Sequence, residues 1–64
     1  MRLGRILLVE DDDNQRSFYR EDLEDHGYEV IEARDGVEAM HAVERFAPDA
    51  VVLDVNMPGP DGLT

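Results

Sequence analysis

One stretch near the N-terminus decides the fold: Ile6-Leu7-Leu8-Val9-Glu10-Asp11-Asp12-Asp13. Four aliphatic residues with no polar interruption read as a strand buried on both faces, the habit of parallel sheets, whereas a strand with one wet face alternates. The abrupt change to four acids marks the carboxyl end of that strand. A second run of the same kind, Ala50-Val51-Val52-Leu53-Asp54-Val55, is interrupted only by Asp54. It leads into Asn56-Met57-Pro58-Gly59-Pro60-Asp61-Gly62, a loop by composition.

Between these two strands the spacing predicts two helices and a third strand. Residues 14–26 are polar and helix-compatible, with Phe18, Tyr19 and Leu23 as a thin apolar stripe and Gly27 placed as a C-terminal cap. Tyr28-Glu29-Val30-Ile31-Glu32-Ala33 partly alternates, as an edge strand or one with a wet side would. Asp35-Gly36 makes a turn, and Asp35 with Glu38 resembles a capping pair that opens a helix. Val37, Met40, Val43 and Phe46, flanked by Ala39 and Ala47, give that helix one apolar face, and Pro48 ends it. The order β-α-β-α-β is two consecutive crossover units, each expected to be right-handed, with parallel pairing.

Composition narrows the function. Six basic against 16 acidic side chains leave a net charge of −10, and the six arginines, with no lysine, are scattered rather than gathered on one face. Direct binding to a phosphate backbone is therefore not expected. Zero cysteine excludes disulfides and thiolate chemistry and is consistent with a reducing cytoplasm. No apolar run is long enough for a membrane span or a signal peptide. With 42% apolar residues the chain is folded rather than an acidic tail. A chain of about 60 residues buries only about 60% of its unfolded surface, so a metal or a partner is expected to assist.

The acids fall where chemistry belongs. In an open parallel sheet ligands bind beyond the carboxyl ends of the strands, where the strand order reverses; for the order 2-1-3 that is between strands one and three. Adjacent strands lie about 4.8 Å apart, so Glu10 and Asp11 at one strand end and Asp54 at the other would share a small volume. Carboxylates crowded together recruit a cation or raise each other's pKa, and hard oxygen donors favour Mg²⁺. A plain acidic run is by default a solvated loop, but an acid that terminates an apolar strand carries a desolvation penalty and is as a rule paired or functional. One of Asp12 and Asp13 is expected to face the next helix N-terminus.

The combination Ile6-Leu7-Leu8-Val9-Glu10-Asp11-Asp12 with Val51-Val52-Leu53-Asp54-Val55-Asn56-Met57-Pro58 and Asp61-Gly62 resembles the receiver domain of bacterial two-component response regulators. His26-Gly27-Tyr28-Glu29-Val30 and Ala33-Arg34-Asp35-Gly36-Val37-Glu38-Ala39 sit where that family has similar segments. The resemblance implies the α/β class: the β-α-β-α-β half of a flavodoxin-like doubly wound parallel sheet, strand order 2-1-3, residues 1–64 forming a partial receiver domain. It implies that Asp54 is the phosphoacceptor, taking a phosphoryl group from the phosphohistidine of a sensor histidine kinase or phosphotransfer protein. It also implies that Asp11 and Asp54 bind Mg²⁺ through side-chain oxygens, Asn56 through its backbone carbonyl, and Glu10 mainly through a water. The resemblance further implies no enzyme activity beyond assisting its own phosphorylation and dephosphorylation, and a place in the cytoplasm.

Receivers of that family have five strands; the hydroxyl residue after the fourth, the lysine after the fifth and the aromatic within the fifth are not among these residues. The chain is thus expected to be a fragment, a part of a longer protein, or a unit that dimerises through the exposed edge of its third strand. The alternative function is a self-associating interaction module without phosphotransfer.

Other motifs have plainer readings. An EF-hand over Asp11-Asp12-Asp13-Asn14-Gln15 fails because Arg16 stands where glycine is needed. Gly59 and Gly62 supply turn geometry, Met40 and Met57 fill gaps, and His26 and His41 have surface or packing roles, with His26 suited to a helix C-terminus. A haloacid dehalogenase type of phosphohydrolase, suggested by Asp54-x-Asn56, would need its nucleophile after the first strand and an aspartate in place of Asn56.

Overall fold

The structure, a computed structural model, describes residues 3–53. The described elements are β1 (Gly4–Val9), α1 (Asp13–Asp25), β2 (Tyr28–Ala33), α2 (Gly36–Phe46) and β3 (Ala50–Leu53). The strands form one parallel sheet in the order β2-β1-β3, the α/β arrangement expected from the two apolar runs. With β2 and β3 on opposite sides of β1, crossovers of the usual right hand would put α1 and α2 on opposite faces of the sheet.

β1 begins two residues before the apolar run, and the reason lies at the foot of β3. The Arg5 amide donates to Asp49 Oδ2 at 2.8 Å, and the Asp49 amide donates back to the Arg5 carbonyl at 2.7 Å. The Arg5 guanidinium then reaches the Phe46 carbonyl at 2.6 Å and Glu29 Oε1 at 3.1 Å. Charged and polar side chains thus extend the ladder where apolar pattern gives no signal. α1 runs from Asp13 to Asp25, one residue upstream of the expected span at each end, and turns out through Gly27, whose φ of +97° an L side chain rarely adopts.

Burial follows the first strand. Ile6, Leu7, Leu8 and Val9 are buried, Leu7 and Leu8 with 0% exposure, as a central strand covered on both sides requires. Leu7 and Val9 point to the α2 face, where they cluster with Ala33 and Ala42 and with the partly buried Ile31 and Ala39. By strand alternation Leu8 faces α1. β3 is as apolar in sequence but lies at the sheet edge, and Leu53 is 60% exposed.

The expected apolar face of α2 requires correction. Val37, Met40, Val43 and Phe46 are all exposed, and the helix meets the sheet through Ala39 and Ala42. At about 100° per residue these positions span a wide arc. α2 packs on β1 and β2, so the alanine edge of the arc seats and the Val37 and Met40 flank faces away. Small side chains at the contact let the helix approach the strands closely.

α1 is seated differently. None of its residues is buried, and Phe18 is exposed, meeting Tyr19 edge-on with ring centroids 5.8 Å apart. Ion pairs tie α1 to β2: Arg16 Nε and Arg20 Nη1 donate to the two oxygens of Glu32 at 2.9 and 3.0 Å.

Candidate functional site

The parallel register brings the carboxyl ends of the three strands level, with Val9 opposite both Ala33 and Leu53. The residues that follow Val9 therefore leave the sheet at its middle, beside the end of β3. The Glu10 amide continues the ladder for one more bond, to the Ala33 carbonyl at 3.0 Å. The residue is 2% exposed, and its side chain turns under the loop, where Oε2 accepts the Asp12 amide at 2.9 Å. Asp11 is exposed at the turn.

Asp12 and Asp13 belong to the helix. Asp12 is the N-cap of α1, extended at φ −84°, ψ 120°, and its Oδ1 accepts the Asn14 and Gln15 amides at 2.8 and 3.1 Å. That satisfies two of the donors that a helix start leaves unpaired. Asp13 stands in the first turn and holds Arg16 Nη2 at 2.6 Å. The four consecutive acids thus divide into two that line the strand end and two that start the helix.

Two residues of this region escaped the sequence reading. Arg16 donates from Nη1 to the Glu10 carbonyl at 3.0 Å while its Nε holds Glu32. Glu32, one position before the end of β2, receives both arginines of α1. Only a count of even positions along β2, which puts Glu32 on the same face as Val30 and toward α1, would have suggested this pairing. Burial raises the Glu32 pKa, but the hydrogen bonds from Arg16 and Arg20 outweigh it and hold the carboxyl below its ordinary value. A depressed carboxyl pKa stabilises the fold above its unfolded value and loses that contribution as pH falls through the folded one. Glu32→Gln is therefore expected to flatten the fall in the urea midpoint on acidification below about pH 4.3. An identical acid limb in wild type and variant would count against the α1 to β2 latch.

His26 caps α1, its Nδ1 2.8 Å from the Asp22 carbonyl, and that contact, with the Asp22 charge, raises its pKa. This is the helix-end role its position suggested. A cavity of about 240 Å³ lined by Gly4, Arg5, Glu29, Ala47 and Asp49 opens at the other end of the sheet. It lies at the opposite end of β1 from Glu10 and Asp11.

Of the four expected metal ligands, Glu10 and Asp11 follow one another at the end of β1, the first buried and the second exposed. Asp54 and Asn56, with the Met57-Pro58 and Asp61-Gly62 loop, lie outside the described residues. Among the described residues no group of three or more His, Cys, Asp or Glu side chains is poised around one point. The donors that are placed fit Mg²⁺: one buried and one exposed carboxylate, all hard oxygen, with no imidazole or thiolate among them. No helix among the described residues is long and apolar enough to cross a membrane.

Comparison with known proteins bears on the family. A family model for the response regulator receiver domain matches residues 6–64. Over 63 residues the chain is 48% identical to protein-glutamate methylesterase/protein-glutamine glutaminase 3 of Rhodospirillum rubrum, covering 97% of this chain and 17% of that protein. Over 59 residues it is 54% identical to response regulator MprA of Mycobacterium leprae and 51% to that of Mycobacterium bovis, in each case 92% of this chain and 26% of the relative. The chain thus spans about a quarter or less of the length of these curated relatives.

Proposed function

The chain belongs to the response regulator receiver domain family, and on that premise we propose that it is a phosphoacceptor module of a two-component system. In this reading Asp54 receives a phosphoryl group from the phosphohistidine of a sensor histidine kinase or phosphotransfer protein in the cytoplasm. Glu10, Asp11, Asp54 and Asn56 hold Mg²⁺. The observation that carries the reading is the placement of buried Glu10 and exposed Asp11 at the carboxyl end of the central strand, level with the last described residue of β3.

An Asp54 carboxylate oxygen attacks phosphorus, the bond from phosphorus to the imidazole nitrogen breaks with its electron pair left on nitrogen, and the donor histidine, protonated on its other ring nitrogen, leaves as the neutral imidazole. When bound, Mg²⁺ supplies the positive charge that lets an acid-lined site accept an anionic group. Glu10 and Asp11 set where that charge sits, and their own negative charge is offset by it. The enzymatic activity named for the Rhodospirillum relative is that protein's and forms no part of this reading.

Incubation with Mg²⁺ and a small phosphodonor such as acetyl phosphate is expected to give a phosphoadduct by intact mass, absent in Asp54→Asn. An unmodified wild-type protein, or an adduct retained by the variant, would overturn the assignment. The exposed edge of β3, with Val51 and Leu53 uncovered, favours a second reading, a receiver-derived module that pairs with its own copy. A concentration-independent monomer in sedimentation experiments would remove it.

A further inference from the structure

We propose that Arg16 is a positioning residue for the cation site, holding the Glu10–Asp11 peptide so that the Asp11 carboxylate is presented in a fixed direction. The inference rests on the phosphoacceptor reading above, and it concerns how this chain prepares the site rather than which residues ligate.

Arg16 stands on the first turn of α1 with its side chain only 13% exposed. Its three guanidinium nitrogens reach three separate segments: Nη1 the Glu10 carbonyl at 3.0 Å, Nε Glu32 on β2 at 2.9 Å, and Nη2 Asp13 at the helix start at 2.6 Å. A planar guanidinium has its donors in a rigid fork, so three bonds in different directions fix its plane. Glu32 in turn is held from its other oxygen by Arg20 at 3.0 Å. The guanidinium is thus anchored on the sheet before it touches the loop.

The loop is pinned on both sides of Asp11. Upstream, the Glu10 amide bonds Ala33 and the Glu10 carbonyl bonds Arg16, so the peptide joining Glu10 to Asp11 is fixed at its oxygen. Downstream, the Asp12 amide bonds Glu10 Oε2 and the Asp12 side chain caps the helix. Asp11 itself engages no hydrogen bond or ion pair among the described residues, and its carboxylate is exposed. Its orientation therefore comes from the backbone, and Arg16 bonds the carbonyl of the peptide it shares with Glu10.

Charge and geometry predict opposite signs, which makes the role testable. A guanidinium near a cation site repels the cation, so if Arg16 acted by charge alone its removal would strengthen Mg²⁺ binding. If it acts by position, removal weakens binding, and groups that orient metal ligands typically change affinity by about 10- to 100-fold. Arg20→Gln serves as the control, since it loosens the same Glu32 latch without touching Glu10.

The test is titration of the intact protein with MgCl₂, followed through the Glu10 and Asp11 amide resonances, for wild type, Arg16→Gln, Arg16→Lys and Arg20→Gln. The expected result is a loss of about tenfold in Mg²⁺ affinity for Arg16→Gln, a several-fold loss for Arg16→Lys, which keeps the charge but not the fork, and the smallest loss for Arg20→Gln, which leaves the Arg16 bond to Glu10 in place. Should Arg16→Gln fail to fold by circular dichroism, Arg16→Lys carries the comparison. Affinity unchanged or raised in the Arg16 variants, or lowered equally in Arg20→Gln, overturns the positioning role while leaving the phosphoacceptor reading intact. A wild-type protein that binds no Mg²⁺ overturns both.

Discussion

Leu7→Ala is expected to cost about 3–5 kcal/mol, which for a domain this small is most of its stability. Leu7 has no exposed surface and lies on the central strand, in the cluster formed with Val9, Ala33 and Ala42. Truncation removes the transfer energy of the lost methyl groups and leaves a cavity whose cost depends on how far the surroundings can close. Here they close poorly. The strand is held by ladders on both sides, and the helix above already touches through alanines, Ala39 and Ala42, that have no side-chain length to reach inward. Val37→Ala on the same helix is the matched control, because Val37 is exposed and its loss is expected to stay within about 0.5 kcal/mol. Urea unfolding of the intact protein reads both as shifts of midpoint at constant slope. A Leu7→Ala loss below about 1 kcal/mol would mean that the α2 face of β1 is not the core.

How much of this was legible in the sequence depends on whether the signal was local. β1 announced itself because four buried residues sit side by side in the chain, and both helix starts were marked by acids: one of Asp12 and Asp13 before α1, which is Asp12, and Asp35 with Glu38 before α2. Where burial depends on distant partners, pattern alone misled. Val37, Met40, Val43 and Phe46 form a correct helical stripe, yet the sheet takes only the alanine edge beside it. The site shows the same division. Glu10 and Asp11 follow from adjacency to an apolar strand, whereas Arg16 and Glu32 meet across 16 positions of chain and neither lies in an unusual local context. The Arg5 and Asp49 pairing, 44 positions apart, was equally invisible and lengthened β1 by two residues.

Asp11→Asn is expected to separate function from stability, lowering Mg²⁺ affinity by at least about tenfold while leaving the urea midpoint unchanged or raised. The loss follows from charge. An amide oxygen is a neutral donor, and a unit charge about 4 Å from a cation is worth up to about 4 kcal/mol per charge at an effective dielectric of 20, against about 1.4 kcal/mol for each tenfold in affinity. The stability side follows from the surroundings. Asp11 is exposed and engages no described neighbour, so the substitution breaks no bond of the fold. It does remove one negative charge from a run of four acids in a chain of net charge −10, and exposed charges within about 8 Å are not fully screened at physiological salt. Without Mg²⁺ the variant should therefore unfold at the same urea concentration as wild type or a higher one, the reverse of Leu7→Ala. Phosphoadduct formation on Asp54 should fall in parallel with the metal affinity, and saturating Mg²⁺ should restore part of it, since the nucleophile is untouched. Mg²⁺ affinity equal to wild type would remove Asp11 from the ligand set, and a lowered midpoint would show that its carboxylate holds the loop together instead.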